Sequence, residues 1–280
     1  MYKKYSINEE FFKEINAKSA YVLGWIITDG CIQFVPKKRY SIRFELKDYD
    51  ILETIKELIG SDAPIRKRED KNLNLLILNS KQLIKQLLAL GITPAKTGKE
   101  KFIDCGEFNR DFIRGVLDGD GSVFILKKRI TEQLVSYICS SNRKFLEDIG
   151  EILRQEINLI PKIYEEKPRG NSFYKLRYGA KESAALYYYL YYDNCDCLKR
   201  KRDVFEEGIK TNAGLGIAKC KECGCQIVRV SNRQKYCKEC LKKIIKERDR
   251  KRNRIRNKKD IVISEFNPST TTCGTPNKIG

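Results

Sequence analysis

Histidine is absent from this chain of 280 residues, and its absence excludes several kinds of catalytic site. No imidazole is available as a general base, so histidine-based nucleases and Ser-His triads cannot be built. Zinc sites with histidine ligands are excluded as well, and any zinc ion here would need cysteine ligands. If the protein hydrolyses phosphodiester bonds, we expect it to use water activated by a bound metal ion.

Long hydrophobic runs are also absent. No apolar stretch approaches the roughly 20 residues that a membrane-spanning helix needs. Residues 1–19 are too acidic and too poor in apolar side chains for a signal or transit peptide. We therefore expect an intracellular protein, in the cytoplasm, the nucleoid or an organelle matrix, that does not insert into a membrane.

Positive charge is in excess. The chain has 56 Lys and Arg against 37 Asp and Glu, a formal net charge of +19. Such a balance favours a polyanionic partner, because neutralising phosphates supplies affinity that does not depend on sequence. Nucleic acid is the first candidate, and an anionic membrane surface is the alternative.

One short pattern occurs twice. The first copy is VLGWIITDG at 22–30, and the second is IRGVLDGDG at 113–121. In each copy an apolar helical turn with an internal glycine leads into an acid that is followed by Gly, namely Asp29 and Asp120. A small residue inside a helix lets a second helix approach closely. Two carboxylates at the foot of such a helix pair would make a divalent-metal site and a candidate nuclease centre.

The predicted elements also repeat. Each copy of the motif begins the order helix, two strands, helix, two strands, helix, which predicts an α+β fold with two pseudo-symmetric αββαββα halves at 1–100 and 101–212. Ser19 is the expected cap of the first helix. We predict further helices at 48–59, 81–90, 111–118, 144–157 and 180–192, and strands at 40–46, 64–67, 73–78, 122–126, 134–139, 162–165 and 173–178.

Over residues 19–210 the motifs, their spacing and the duplicated order resemble single-chain LAGLIDADG homing endonucleases. The second motif, GVLDGDG, is close to the family's GLIDADG, whereas the first departs from it at Ile27 and Thr28. The resemblance implies that Asp29 and Asp120 bind two or three Mg²⁺ ions and that two four-stranded sheets form a saddle over double-stranded DNA. It also implies a monomer.

The resemblance leads us to expect a site-specific endonuclease that cuts both strands of DNA and serves the mobility of an intron or another mobile element. Two alternatives remain open. One is a maturase on the same fold that binds intron RNA, and the other is a DNA-binding regulator without catalysis. The retained acids favour an enzyme over the regulator but do not separate the enzyme from the maturase.

Basic and polar residues on the strands are candidates for the remaining roles. Lys47 and Lys175 could position catalytic water, although a phosphate contact or a solvated edge lysine is the alternative for each. Polar residues that alternate with core residues are expected to face DNA, where Arg, Asn and Gln suit base edges. The candidates are Gln33, Ser41, Arg43, Glu45, Arg66, Arg68, Asn72 and Asn74 in the first half, and Lys127, Arg129, Gln133, Ser136, Lys162, Tyr164 and Tyr174 in the second.

Cysteine is clustered near the C-terminus. Cys220, Cys223, Cys237 and Cys240 form two CxxC pairs, which predicts one structural Zn²⁺ in a zinc-ribbon-like module at 213–260, with a hairpin near 226–236. Cys225 is a spare thiol that could replace Cys223. A redox pair or ordinary thiols are the alternative.

A very basic segment follows the cysteines. Residues 219–259 hold 17 Lys and Arg against 4 Asp and Glu, a net charge of +13 out of the total +19. Beside a zinc knuckle we interpret this segment as a basic helix that forms an auxiliary DNA-binding module, tethered through 212–216. A solvated tail is the alternative. Residues 261–280, rich in Ser, Thr, Pro and Asn, are expected to be disordered.

Overall fold

The computed structural model describes residues 5–35, 39–94, 98–127, 132–167, 172–211, 216–229 and 234–265. The predicted DNA contact Arg129 lies outside these ranges. The first half contains α1 (Ala17–Thr28), β1 (Cys31–Val35), β2 (Arg39–Leu46), α2 (Tyr49–Leu58), β3 (Arg66–Arg68), β4 (Leu73–Asn79) and α3 (Lys81–Ala89). The second contains a short 3-10 helix (Gly106–Phe108), α4 (Asn109–Asp120), β5 (Gly121–Lys127), β6 (Glu132–Ser140), α5 (Arg143–Ile157), β7 (Ile163–Glu166), β8 (Phe173–Tyr178), α6 (Ala180–Leu190) and α7 (Lys199–Thr211).

Both halves contain an antiparallel four-stranded sheet of the same topology. The strand order is β1-β2-β4-β3 in the first half and β5-β6-β8-β7 in the second. The repeated αββαββα order and the α+β class predicted from the sequence are therefore confirmed. The helix α7 is an addition to the second half that the sequence pattern did not predict.

The helices cover one face of each sheet. Ile42, Phe44, Leu76 and Leu78 alternate along β2 and β4 and are buried in the main core. On the second sheet, the buried core residues along β6 and β8 include Leu134, Ile138, Leu176 and Tyr178. The residues between them point away from the helices, since successive side chains of a strand point to opposite faces. We call this other side the open face of each sheet.

The start of the first motif helix differs from the prediction. α1 begins at Ala17 and is capped by Asn16, whose side chain accepts from the backbone N–H groups of Lys18 and Ser19. The Ser19 hydroxyl in turn accepts from the Asn16 backbone N–H at 2.9 Å. The two residues form a capping box, so Ser19 is the third residue of the helix rather than its cap.

A second compact unit contains, among the described residues, 217–227 and 234–265. A two-stranded sheet pairs β9 (Gly216–Lys219) with β10 (Gln226–Arg229). The hairpin therefore starts ten residues before the predicted range 226–236. The predicted position of the hairpin was wrong. The helix α8 spans Lys238–Glu265 and extends past the predicted end of the basic module at residue 260. Residues 266–280 lie outside the described ranges. Within those ranges no helix is long and apolar enough to cross a membrane.

Candidate active site

Two parallel helices, α1 and α4, meet along their backbones. A Cβ atom built on Gly24 would lie 2.7 Å from the amide nitrogen of Val116, and one on Gly115 would lie 3.0 Å from the Cα of Gly24. Only residues without a side chain can pack at this distance, which explains the glycine inside each copy of the motif.

The helix pair brings the two predicted metal ligands to the same end of the molecule's core. Asp29 is the residue that ends α1, and Asp120 is the last residue of α4. A Cβ atom on Gly119 would lie 3.0 Å from the carboxylate Oδ2 of Asp29 and 2.7 Å from the Cβ of Thr28. The acid of the first half therefore lies directly against the peptide that precedes the acid of the second half.

The neighbouring acid of the second motif, Asp118, is part of the interior. Its carboxylate accepts from the Tyr21 hydroxyl at 2.9 Å, the Tyr191 hydroxyl at 2.7 Å and the backbone N–H of Leu198 at 2.8 Å. Burial raises the pKa of Asp118, whereas these hydrogen bonds oppose the shift. Asp118 is fully engaged in joining α1, α6 and the start of α7, so it is not available as a metal ligand.

A buried lysine that sequence analysis did not select lies against the same helix end. Lys201 in α7 is 4% exposed, and its ammonium group donates to carbonyl oxygens of residues 117–121 at the end of α4. Burial lowers the pKa of Lys201 to about 8, and the charges of Asp118, Asp29 and Asp120 oppose that shift. Lys201 is therefore within electrostatic reach of both motif acids.

The donor set at this end suits a hard divalent cation. The carboxylates of Asp29 and Asp120 offer oxygen atoms, the ligands that Mg²⁺ prefers, whereas the carbonyls at the end of α4 accept from Lys201. Asp29 and Asp120 are oxygen donors of this kind, and the helix pair places them at one end of α1 and α4.

The two candidate catalytic lysines lie in different surroundings. Lys47 follows β2 and is exposed, and its backbone carbonyl accepts from the Asn74 side chain at 2.9 Å. Lys175 lies on the open face of the second sheet. Its ammonium group pairs with Glu166 at 2.7 Å and lies 5.1 Å from the centre of the Tyr137 ring. The hydrogen bond to Glu166 raises the pKa of Lys175, so this lysine is held as a cation.

The open face of the first sheet carries most of the predicted DNA-contacting residues of that half. The β-pairing places Gln33, Ser41, Arg43, Glu45, Arg66 and Arg68 on it. Glu45 accepts from both Arg43 and Arg68, and these hydrogen bonds lower its pKa. Asn72 lies in the turn before β4 with a positive φ of 50°.

Two predicted contacts of the first half need correction. Ser41 is only 2% exposed, and its hydroxyl donates to Gln33 at 3.4 Å. It therefore supports Gln33 and does not itself reach a ligand. Asn74 pairs with Leu46 and thus points to the helix side of the sheet, where it donates to the Lys47 carbonyl. The strand was misread because Leu75–Leu78 are all apolar, and such a run does not reveal which side is covered.

Two predicted contacts of the second half are also on the wrong side. Ser136 is fully buried and its hydroxyl lies 2.8 Å from that of Ser183 in α6. Tyr174 alternates with Lys175 and packs against the main core. Both were predicted to face DNA because they are polar, but each packs on the helix side of the sheet.

The remaining predicted residues of the second half are accessible. Tyr164 is 52% exposed, Lys162 is exposed, and Gln133 is half-buried on the open face. Lys127 lies at the exposed end of β5, 3.7 Å from Glu132. Sequence reasoning selected Tyr164 and Lys175 but missed Phe124, Tyr137 and Arg177, which lie beside them in an aromatic and basic cluster on the same face. The cluster consists of Phe124, Tyr137, Tyr164, Lys175 and Arg177, which line a cavity of about 400 Å³ together with Glu165 and Glu166.

The clustered cysteines of the second unit lie together. The thiols of Cys220, Cys223, Cys225 and Cys237 are all within 4.8 Å of one another, close to the ~3.8 Å sulfur separation that four thiolates adopt around one Zn²⁺. Cys240 is buried, and its backbone N–H donates to the Cys237 sulfur at 3.4 Å. Five thiols are therefore available for four ligand positions. The ten cysteines within the described residues form no disulfide.

Comparison with known proteins finds a family match within the second half. Residues 107–190 match the family model for the LAGLIDADG-like domain. No curated protein matches the chain as a whole.

Three solved structures illustrate what the chain is similar to. The homing endonuclease I-WcaI bound to its DNA recognition sequence is 13% identical, with 70% of this chain and 90% of that chain covered and a TM-score of 0.48. The LAGLIDADG homing endonuclease I-LtrWI bound to target DNA is 12% identical, with 72% and 89% covered and a TM-score of 0.48. Full-length WhiA from Thermotoga maritima is 16% identical, with 75% and 66% covered and a TM-score of 0.44. At these values the similarities do not define an activity.

Proposed function

We propose that this protein is a Mg²⁺-dependent, site-specific endonuclease that cuts both strands of double-stranded DNA. The observation that carries the proposal is the pairing of Asp29 and Asp120 at one end of two helices whose backbones touch at Gly24 and Gly115. The LAGLIDADG-like domain at 107–190 supports it. We infer a role in the mobility of an intron or another mobile element.

Asp29 and Asp120 would hold the metal, and bound Mg²⁺ would supply an activated water and stabilise the leaving oxygen. The chain's own contribution is to position the two carboxylates. Each half supplies one acid, and the close helix contact at Gly24 and Gly115 fixes how far apart the two acids lie. Two acids from two similar halves suit a substrate with two strands to cut.

The open faces of the two sheets would bind the DNA on either side of the acids. Arg43 and Arg68 are held by Glu45 in the first half, and Lys175 is held by Glu166 in the second. Such anchored side chains lose less conformational freedom when they meet a base or a phosphate. Arginine reads guanine edges in the major groove, whereas contacts to phosphate set the register.

The second unit would act as an auxiliary DNA-binding module. One structural Zn²⁺ bound by Cys220, Cys223, Cys237 and Cys240 would stabilise a segment that buries few other apolar side chains. We retain Cys240 as the fourth ligand because it completes the second CxxC pair and is buried, and structural zinc sites are closed. The basic helix α8 would add electrostatic affinity.

The proposal is tested with the full-length protein and a pool of duplexes that includes the locus without its intron or mobile insertion. The expected result is one recurrent cut in both strands in the presence of Mg²⁺ and none in EDTA, determined by sequencing the ends. Cleavage at arbitrary positions, or binding of intron RNA in preference to duplex DNA without any cleavage, would overturn the proposal.

A further inference from the structure

Lys201 is a charged residue in the interior of the first unit. Its ammonium group donates to the carbonyl oxygens of residues 117, 118, 119 and 121 at 2.8, 2.6, 3.3 and 2.6 Å. A lysine ammonium has three protons, so four acceptors engage all of its donor capacity. The carbonyls at the C-terminal end of a helix have no partner within the helix and carry partial negative charge. Lys201 therefore supplies both the hydrogen-bond donors and the positive charge that the end of α4 lacks.

The residues on either side of Asp120 explain why the end of α4 needs such support. Asp120 is flanked by Gly119 and Gly121. A Cβ on Gly119 would lie 2.7 Å from the Thr28 Cβ, and one on Gly121 would lie 2.5 Å from Cδ1 of Leu117. Close packing thus requires glycine at both positions, and glycine gives the backbone more conformational freedom than any other residue. The backbone on both sides of Asp120 therefore lacks the restraint that a side chain would give.

The end of α1 is satisfied by a different group. The Thr28 hydroxyl donates to the carbonyls of Gly24 and Trp25, both at 3.2 Å. The backbone N–H groups of Asp29 and Gly30 donate to the Trp25 carbonyl, both at 3.0 Å. A neutral hydroxyl from the same helix thus binds carbonyls in the last turn of α1, whereas the ammonium from α7 binds the carbonyls on both sides of Asp120.

We propose that Lys201 is a positioning residue for the metal site: by binding the carbonyls of Gly119 and Gly121, it fixes the peptide groups on both sides of Asp120 and so presents that carboxylate to the metal in one orientation. The proposal rests on the proposed function, because it assumes that Asp120 binds a divalent cation. It gives α7, the helix added after the second αββαββα unit, a role in the site.

Removing Lys201 would change the affinity of the site for a cation in two opposite ways, so a binding measurement shows which effect is larger. Loss of a positive charge near Asp29 and Asp120 would strengthen cation binding through Coulomb attraction. Loss of the positioning contacts would weaken it, because groups that orient metal ligands typically contribute about 10- to 100-fold to metal affinity. The proposal requires the second effect to dominate.

The test compares Lys201→Met with Lys199→Met, a substitution of an exposed lysine on the same helix. Isothermal titration of the full-length proteins with Ca²⁺ is expected to show about 10- to 100-fold weaker binding for Lys201→Met, with the Lys199→Met protein unchanged. In cleavage assays the Mg²⁺ concentration for half-maximal rate should rise by a similar factor, while the rate at saturating Mg²⁺ recovers to within about threefold. A lower saturating rate with an unchanged Mg²⁺ requirement would contradict positioning of the metal ligand.

Equal or tighter Ca²⁺ binding by Lys201→Met would overturn the proposal, since Lys201 would then act only as a buried countercharge. If that variant does not fold, Lys201→Gln retains two N–H donors and should show an intermediate loss; wild-type Ca²⁺ affinity in that variant would count against the proposal. If wild-type protein binds Ca²⁺ but cuts no DNA, the proposed function fails while the Ca²⁺ titration still decides the role of Lys201.

Discussion

Replacing Gly115 with alanine would place a methyl group between two helix backbones. The new Cβ would lie 3.0 Å from the Gly24 Cα and 3.2 Å from the Tyr21 carbonyl carbon, whereas carbon atoms pack at about 3.5–4.0 Å. Neither helix can remove the contact by rotating a side chain, so α1 and α4 must separate by about 0.5–1 Å. Overpacking of this kind costs about 3 kcal/mol, and alanine's better helix propensity returns about 1 kcal/mol. We expect a net loss of about 2 kcal/mol in the free energy of unfolding.

Urea denaturation of the full-length protein measures this loss, with Gly208→Ala as the control. Gly208 also lies inside a helix, but a Cβ there would mainly meet the side chain of Leu134, whose Cδ1 is 2.6 Å away and can rotate. Its loss should be smaller than that of Gly115→Ala. Because Asp29 and Asp120 move with the two helices, the DNA cleavage rate of Gly115→Ala should also fall, by about 10- to 100-fold. A Gly115→Ala protein that is as stable and as active as wild type would refute the close contact of the two helices.

Three further predictions concern the cysteines and the basic module. Cys240→Ser should lose the bound Zn²⁺, whereas Cys225→Ser should retain one per chain, measured by elemental analysis after dialysis; the reverse result would make Cys225 the fourth ligand. Deleting residues 213–280 should weaken DNA binding and flatten its dependence on salt while the cleavage position stays the same; an unchanged affinity would argue against the auxiliary module. The hydrogen bond from Cys197 lowers the pKa of Cys195 to about 7. The thiolate therefore forms as the pH rises through that value, and alkylation of Cys195, followed by peptide mass spectrometry, should be half-maximal near pH 7 and shift upward in Cys197→Ala.

The parts of the fold that follow a simple period could be predicted from the sequence. The strand Phe173–Tyr178 was predicted at its observed bounds, and the duplicated order of elements identified the two halves. Helix positions were also predicted within a few residues, because α2, α3 and α5 each carry one apolar face. Asp29 and Asp120 could be selected because each ends an apolar helical turn and is followed by glycine.

The features that depend on tertiary contacts could not be predicted. α7 has charged residues on most of its surface. One of its buried residues is Lys201, and lysine is almost never fully buried without partners. Ser136 was assigned to the DNA face because it is polar, yet its partner Ser183 lies 47 residues away in the chain. Polarity alone does not show whether a hydroxyl meets solvent or a buried partner.

The most direct measurement of the central idea is DNA cleavage by Asp29→Asn and Asp120→Asn, with Asp203→Asn as a matched control. Asp203 is an exposed carboxylate on α7, so its loss removes the same charge without touching the helix ends. The two motif variants should still bind the target duplex but should lose double-strand cleavage in Mg²⁺, while the control cuts as wild type does. Wild-type cleavage by either motif variant would contradict the assignment of Asp29 and Asp120 as the joint metal site.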